Sequence, residues 1–161
     1  MKTLLTIAAA ALLLTSFAAA GRAGDTPDPV ARMAAGKATF EKGCGFCHSL
    51  DRSLSRTKDR AGWMQTVKRM VTYGAPLDSG QREGVTAYLT AQSNFRAGCN
   101  SCHSNLKVLA EPAGNKDWKV TMERMSGHLK ELAAKDKDAK VLSEGEIEEI
   151  GALLSVVIPK D

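Results

Sequence analysis

Cys44-Gly-Phe-Cys47-His48 and Cys99-Asn-Ser-Cys102-His103 repeat one short pattern, C-x-x-C-H. Between them they take all four cysteines and two of the three histidines of the 161-residue chain. The spacing suits one chemistry above others: two thiols close thioether bonds to the two vinyl groups of a haem, and the histidine that follows offers an imidazole nitrogen to its iron. Two such motifs predict two covalently bound haem c groups. Cys44 and Cys47 would hold the first and Cys99 and Cys102 the second, with His48 and His103 as iron ligands.

Other uses of paired cysteines fit less well. Zinc ribbons place their pairs roughly 15–20 residues apart, whereas residues 48 to 98 separate Cys47 from Cys99 here, and zinc leaves the histidine after each pair unexplained. A thioredoxin-like redox pair expects a βαβ setting, and no run of alternating residues suggests strands.

Haem c is attached outside the bacterial cytoplasm, so such a chain needs an export signal, and the amino terminus reads as one. Lys2 supplies a positive start, Leu4 to Ala20 is apolar apart from Thr6, Thr15 and Ser16, and Ala18-Ala19-Ala20 precedes Gly21 as a cleavage site. A signal peptide over residues 1–20 is expected, with Gly21-Arg22-Ala23 as a later alternative cut after residue 23. The apolar stretch falls short of the roughly 20 residues a spanning helix needs. The expected location is the periplasm, without stable membrane insertion.

Charge gives little guide to partners. The formal +4 loses Lys2 with the leader, and the propionates of two haems bring the holoprotein close to neutral or slightly acidic. No basic stripe with interleaved aromatics is present, so nucleic-acid binding is not expected.

The motifs head a longer internal repeat. At an offset of 55, Phe40, Gly43, Ser49, Trp63, Thr66, Arg69, Met70 and Leu77 become Phe95, Gly98, Ser104, Trp118, Thr121, Arg124, Met125 and Leu132, along with the cysteines and histidines. Further on the offset is 65, carrying Asp78, Gln81, Val85, Ala87 and Leu89 onto Ser143, Glu146, Ile150, Ala152 and Leu154. The second copy thus holds a 10-residue insertion near Lys130 to Val141, a mixed-charge stretch that reads as a solvated helix extension.

Both copies read as helical. Trp63, Val67, Met70 and Val71, and Trp118, Met122, Met125, Leu129 and Leu132, recur at helical spacing as one apolar face each. A last helix in each copy opens on a capping pattern, Asp78-x-x-Gln81 and Ser143-x-x-Glu146. Only residues 90 to 98 separate Leu89 from Cys99, so one middle helix is expected to close the first haem lobe through Val85 to Leu89 and to open the second through Ala91 and Phe95. The fold class expected is all-α, two tandem haem-binding repeats sharing that helix, with a first lobe over 21–92 and a second over 86–161.

Each iron needs a sixth ligand. Met70 and Met125 are the only methionines at equivalent places, each 22 residues after its motif histidine. Thioether sulfur is a soft ligand that favours ferrous iron. Duplication in register argues for ligation over the core filling that explains a lone methionine. His128, three residues after Met125 and matching Tyr73, is the alternative to Met125 at the second iron. Arg69 and Arg124 suit haem propionates, though solvent exposure explains them equally well, and Trp63 and Trp118 are expected to pack on porphyrin.

Phe40-x-x-Gly-Cys-x-x-Cys-His48, Gly62-Trp63-x-x-Thr66-Val67-x-Arg69-Met70-Val71 and Gly74-Ala75-x-Leu77 together resemble class I-type bacterial cytochromes c, and among them the dihaem domain of quinohaemoprotein amine dehydrogenase α subunits. The resemblance spans most of residues 30 to 157 and is looser in the second copy. It implies cytochrome c-like repeats and an axial role for Met70 and, more weakly, Met125. Class I cytochromes usually carry a proline about ten residues after the motif, whose carbonyl orients the histidine. Pro112 stands near that place in the second copy, but the first has Thr57.

The function expected is that of a soluble periplasmic carrier passing single electrons between donor and acceptor proteins, with no catalytic residues of its own. The alternative is a haem subunit of a periplasmic dehydrogenase, or a small dihaem redox enzyme with one open iron site.

Overall fold

The computed structural model describes residues 28–100, 102, 104–110, 117–137, 139 and 141–158. Among them the chain is all-α, with no strand: α1 Pro29–Thr39, α2 Asp51–Leu54, α3 Arg60–Thr72, α4 Ser79–Cys99, α5 Asn105–Ala110, α6 Trp118–Lys135 and α7 Glu144–Val157. The expected leader, Pro112 and His103 lie outside the described residues.

The helix starts follow local chemistry. Asp28 accepts from Ala31 N (2.9 Å) and Pro29 takes the first turn of α1, where its missing N–H costs nothing. Asp78 and Gln81 form a reciprocal capping box at the start of α4, with Gln81 N donating to Asp78 Oδ1 (2.8 Å) and Asp78 N to Gln81 Oε1 (3.0 Å). Ser143 and Glu146 do the same for α7. Both caps stand where the sequence placed them.

The helix ends explain why α6 outruns α3. Gly74 adopts φ +101°, a left-handed conformation that glycine tolerates best, while Gly74 N donates to Val71 O (2.9 Å) and Ala75 N to Met70 O (3.0 Å). This pair of bonds stops α3 just after Met70. Leu129 occupies the matching place in α6, so nothing stops the helix there and it runs on to Lys135. The insertion is therefore helical in its first half, as expected, and α6 ends at Asp136.

Helix α4 is the centre of the packing. It is buried around most of its circumference from Gly84 to Phe95 and touches α1, α2, α3, α5 and α7, while α1 and α6 also lie on α7. Twenty-one residues pass without a break from Ser79 to Cys99, so one helix does occupy the span the spacing argument assigned to it. Two of its buried hydroxyls are satisfied within the helix: Thr86 Oγ1 donates to Arg82 O (2.8 Å) and Thr90 Oγ1 to Thr86 O (2.7 Å).

Helices α1 and α4 approach backbone to backbone at Gly36 and Gly84. A Cβ built on Gly36 would stand 2.2 Å from Gly84 O, so only glycine lets the two backbones meet. Around this crossing, Met33, Phe40, Val85, Tyr88, Ile150 and Leu153 belong to one contiguous apolar cluster that draws from both ends of the chain. Phe40 and Tyr88 pack ring to ring, with centroids 5.5 Å apart.

Candidate functional site

The first motif leaves α1 through a π-helical turn, Phe40–Cys44, which is wider than α-helix and recurs at functional places in proteins. Phe40 anchors that turn in the core at 1% exposure, so Cys44 emerges half-buried against the core while Cys47 is exposed. The second motif leaves directly from the last residue of α4, again with Cys99 half-buried against the core and Cys102 exposed. Burial, then the neighbouring Cys102 thiol, pushes Cys99 up to about 11, and Cys44 is raised by burial and by Cys47 in the same order. Each pair therefore sits close enough for its two thiols to sense each other.

His48 is half-buried, with Nδ1 3.1 Å from Ser49 O. A carbonyl only accepts, so this bond assigns the proton to Nδ1 and leaves the lone pair on Nε2, the form in which imidazole binds a metal. The carbonyl comes from the next residue, not from the distant loop where class I cytochromes place a proline. Ser49 then starts α2 by accepting from Asp51 N (3.3 Å) and donating to Asp51 Oδ2 (3.2 Å).

Six methionines are present in the sequence; of the described ones Met64 is 56% exposed, and the other four fall into two groups. Met33 and Met122 are core residues at 1% and 3% exposure. Met70 and Met125 are half-buried and stand outside the packed cluster, so neither acts as core filling. His128 projects from α6 as an exposed side chain, its Nδ1 3.8 Å from Glu131 Oε2. Arg69 and Arg124 are exposed and make no ion pair among the described residues.

The tryptophans correct an expectation. Trp63 is 1% exposed before any porphyrin is considered, its Nε1 donates to Ser93 Oγ (2.7 Å), and the Lys58 ammonium stands 5.0 Å from its ring centroid. Trp118 is also buried and donates Nε1 to Ile158 O (3.3 Å). Neither ring keeps a face for porphyrin and neither N–H is available to a propionate; the two residues lock α3 to α4 and α6 to the end of α7.

The donor set fits haem: an imidazole with its outer nitrogen fixed, thioethers held off the core, and paired thiols. Apolar side chains stay uncovered in and just after the motifs, with Phe46 92% and Leu106 75% exposed, a surface an apolar ring would cover. No group of three or more His, Cys, Asp or Glu that could hold a metal ion is found among the described residues. No helix among the described residues is long and apolar enough to cross a membrane.

Sequence reasoning missed Arg60, Ser93 and Arg96. Arg60 pairs with Glu83 of α4 and, at 2.9 Å, with Glu149 of α7. Arg96 donates from α4 to Leu54 O at the end of α2. Nothing in their local sequence marks these residues, because each partner lies at least 23 positions away. No family model matches the chain, and no curated protein or solved structure matches it.

Proposed function

We propose that this chain is a dihaem electron carrier of the cytochrome c type, exported to the periplasm by a leader over residues 1–20, which passes single electrons between a donor and an acceptor protein. Haem would be held by Cys44 and Cys47 with His48 and Met70 on its iron, and by Cys99 and Cys102 with His103 and Met125. The observation that carries this reading is the duplicated motif embedded in a register repeat that also duplicates a tryptophan and a methionine.

Attachment needs no oxidant. Each thiol would add across a vinyl C=C, sulfur bonding to one carbon and the thiol hydrogen ending on the other. When bound, the group supplies a one-electron couple between ferric and ferrous iron. The protein's part is to orient ligands. The Nδ1–H of His48, donated to Ser49 O, would leave Nε2 to hold the iron, and the bonds that end α3 fix Met70 in its last turn. The exposure of His128 favours Met125 at the second iron.

The element order supports two tandem cytochrome c-like repeats sharing α4. The sequence α1, α2, α3, α4 is followed by α4, α5, α6, α7, with each motif at the end of the first helix in its set. Residues 21–92 would form the first lobe and 86–161 the second.

An optical and redox titration of the purified holoprotein tests this. Two haems per chain by pyridine haemochrome, both low-spin and with the far-red charge-transfer band of methionine ligation, are expected. A high-spin ferric component that binds cyanide would overturn the carrier in favour of a redox enzyme. Met70→Ala should create such a component in one haem only, and an unchanged spectrum would remove Met70 from the ligand set.

A further inference from the structure

Arg96 joins the two motif segments. It lies on α4 three residues before Cys99, so helical geometry puts both on one face, a turn apart. From there its guanidinium crosses to α2 and donates to Leu54 O, six residues after His48. A single-turn helix such as α2 leaves its last carbonyls without intrahelical donors, and Arg96 supplies one with a charge-assisted bond. The side chain is half-buried and lines a cleft of about 360 Å³ with Asn100, inside the second motif, and Ser104 and Asn105, just after it. The guanidinium places a cation between the two motif segments.

We propose that Arg96 is a positioning residue common to both haem sites, pinning the segment after His48 to the helix that delivers Cys99 and placing one positive charge next to each. The inference rests on the dihaem reading above. A half-buried cation disfavours ferric iron more than ferrous, because the ferric site carries the extra positive charge. Arg96 therefore raises both midpoint potentials.

The test is a spectroelectrochemical titration of holoprotein carrying Arg96→Gln or Arg96→Lys, with amide hydrogen exchange of residues 50–56 measured on the same samples. Arg96→Gln should shift both midpoints to more negative values and speed exchange over 50–56. Arg96→Lys, which keeps the charge but loses the fork, should hold the midpoints near wild type while exchange still quickens. A two-haem Arg96→Gln protein in which neither midpoint moves, or only the second, overturns the shared role. Should Arg96→Gln load fewer than two haems, Arg96→Lys is decisive, since unchanged exchange over 50–56 there removes the anchor. Haem content of the wild-type protein is read separately, so a chain that holds no haem counts against the underlying reading and not against Arg96.

Discussion

Replacing Gly36 with alanine puts a methyl group into the crossing of α1 and α4. The new Cβ would stand 2.2 Å from Gly84 O and 2.6 Å from Gly84 C, and both are backbone atoms that no rotamer change can remove. Ordinary contact requires the helices to part by about 1 Å, and a gap of that order forfeits a quarter to a half of the dispersion energy between the atoms facing it. Overpacking of this kind costs about 1–3 kcal/mol, set against a gain of about 0.8–1.0 kcal/mol from alanine's better helix propensity. The crossing lies amid Met33 and Val85, at 1% and 0% exposure, so the upper part of the cost applies and the net loss should be about 2 kcal/mol. Gly127→Ala in α6 is the matched control, because its Cβ meets nothing within 4 Å. It should stabilise by about 0.5–1 kcal/mol, parting the two variants by about 3 kcal/mol. Urea unfolding followed by far-UV circular dichroism reads the difference as a shift in midpoint at constant slope. Coincident midpoints for Gly36→Ala and Gly127→Ala would refute the close crossing.

Ser93→Ala strips the acceptor from the buried indole of Trp63 and should cost about 1–3 kcal/mol in the same assay. Ser93→Thr, which keeps an oxygen, should lose less. The methionines should separate by role. Met122→Ala opens a core cavity and costs about 2–5 kcal/mol, whereas Met125→Ala costs less stability but alters the spectrum of one haem. Iodoacetamide labelling of the haem-free chain, mapped by mass spectrometry, should modify Cys47 and Cys102 before Cys44 and Cys99, since burial withholds the latter thiols from ionisation. The same chain should lose stability as pH rises from 9.0 toward about 11: the unfolded Cys99 thiol ionises first while the folded one keeps its proton, so alkali favours unfolding. Conversion to thioethers abolishes that cysteine contribution, and pH-dependent unfolding of both forms checks it.

What local chemistry writes was legible in the linear chain. Capping residues lie within three positions of the amides they bind, so Asp78 and Ser143 revealed the starts of α4 and α7. The short span between Leu89 and Cys99 left no room for two helices, and α4 is one. The proposed haem residues are local in the same way, since the C-x-x-C-H pattern sets each cysteine pair and its histidine within five positions. The porphyrin-facing role expected of Trp63 and Trp118 failed because periodicity reports that a residue has an apolar face, not which partner covers it.

Sequence alone thus determined where α4 and α7 begin and that the described residues are all-α. Tertiary structure decided how those helices meet: glycine against glycine where α1 crosses α4, Trp63 on Ser93, Arg96 on Leu54. The physical reason is range. Hydrogen bonds within a helical turn are specified by neighbours a few residues apart, whereas contacts across 30 or 42 positions depend on the packing of whole faces and exist only after the chain has folded.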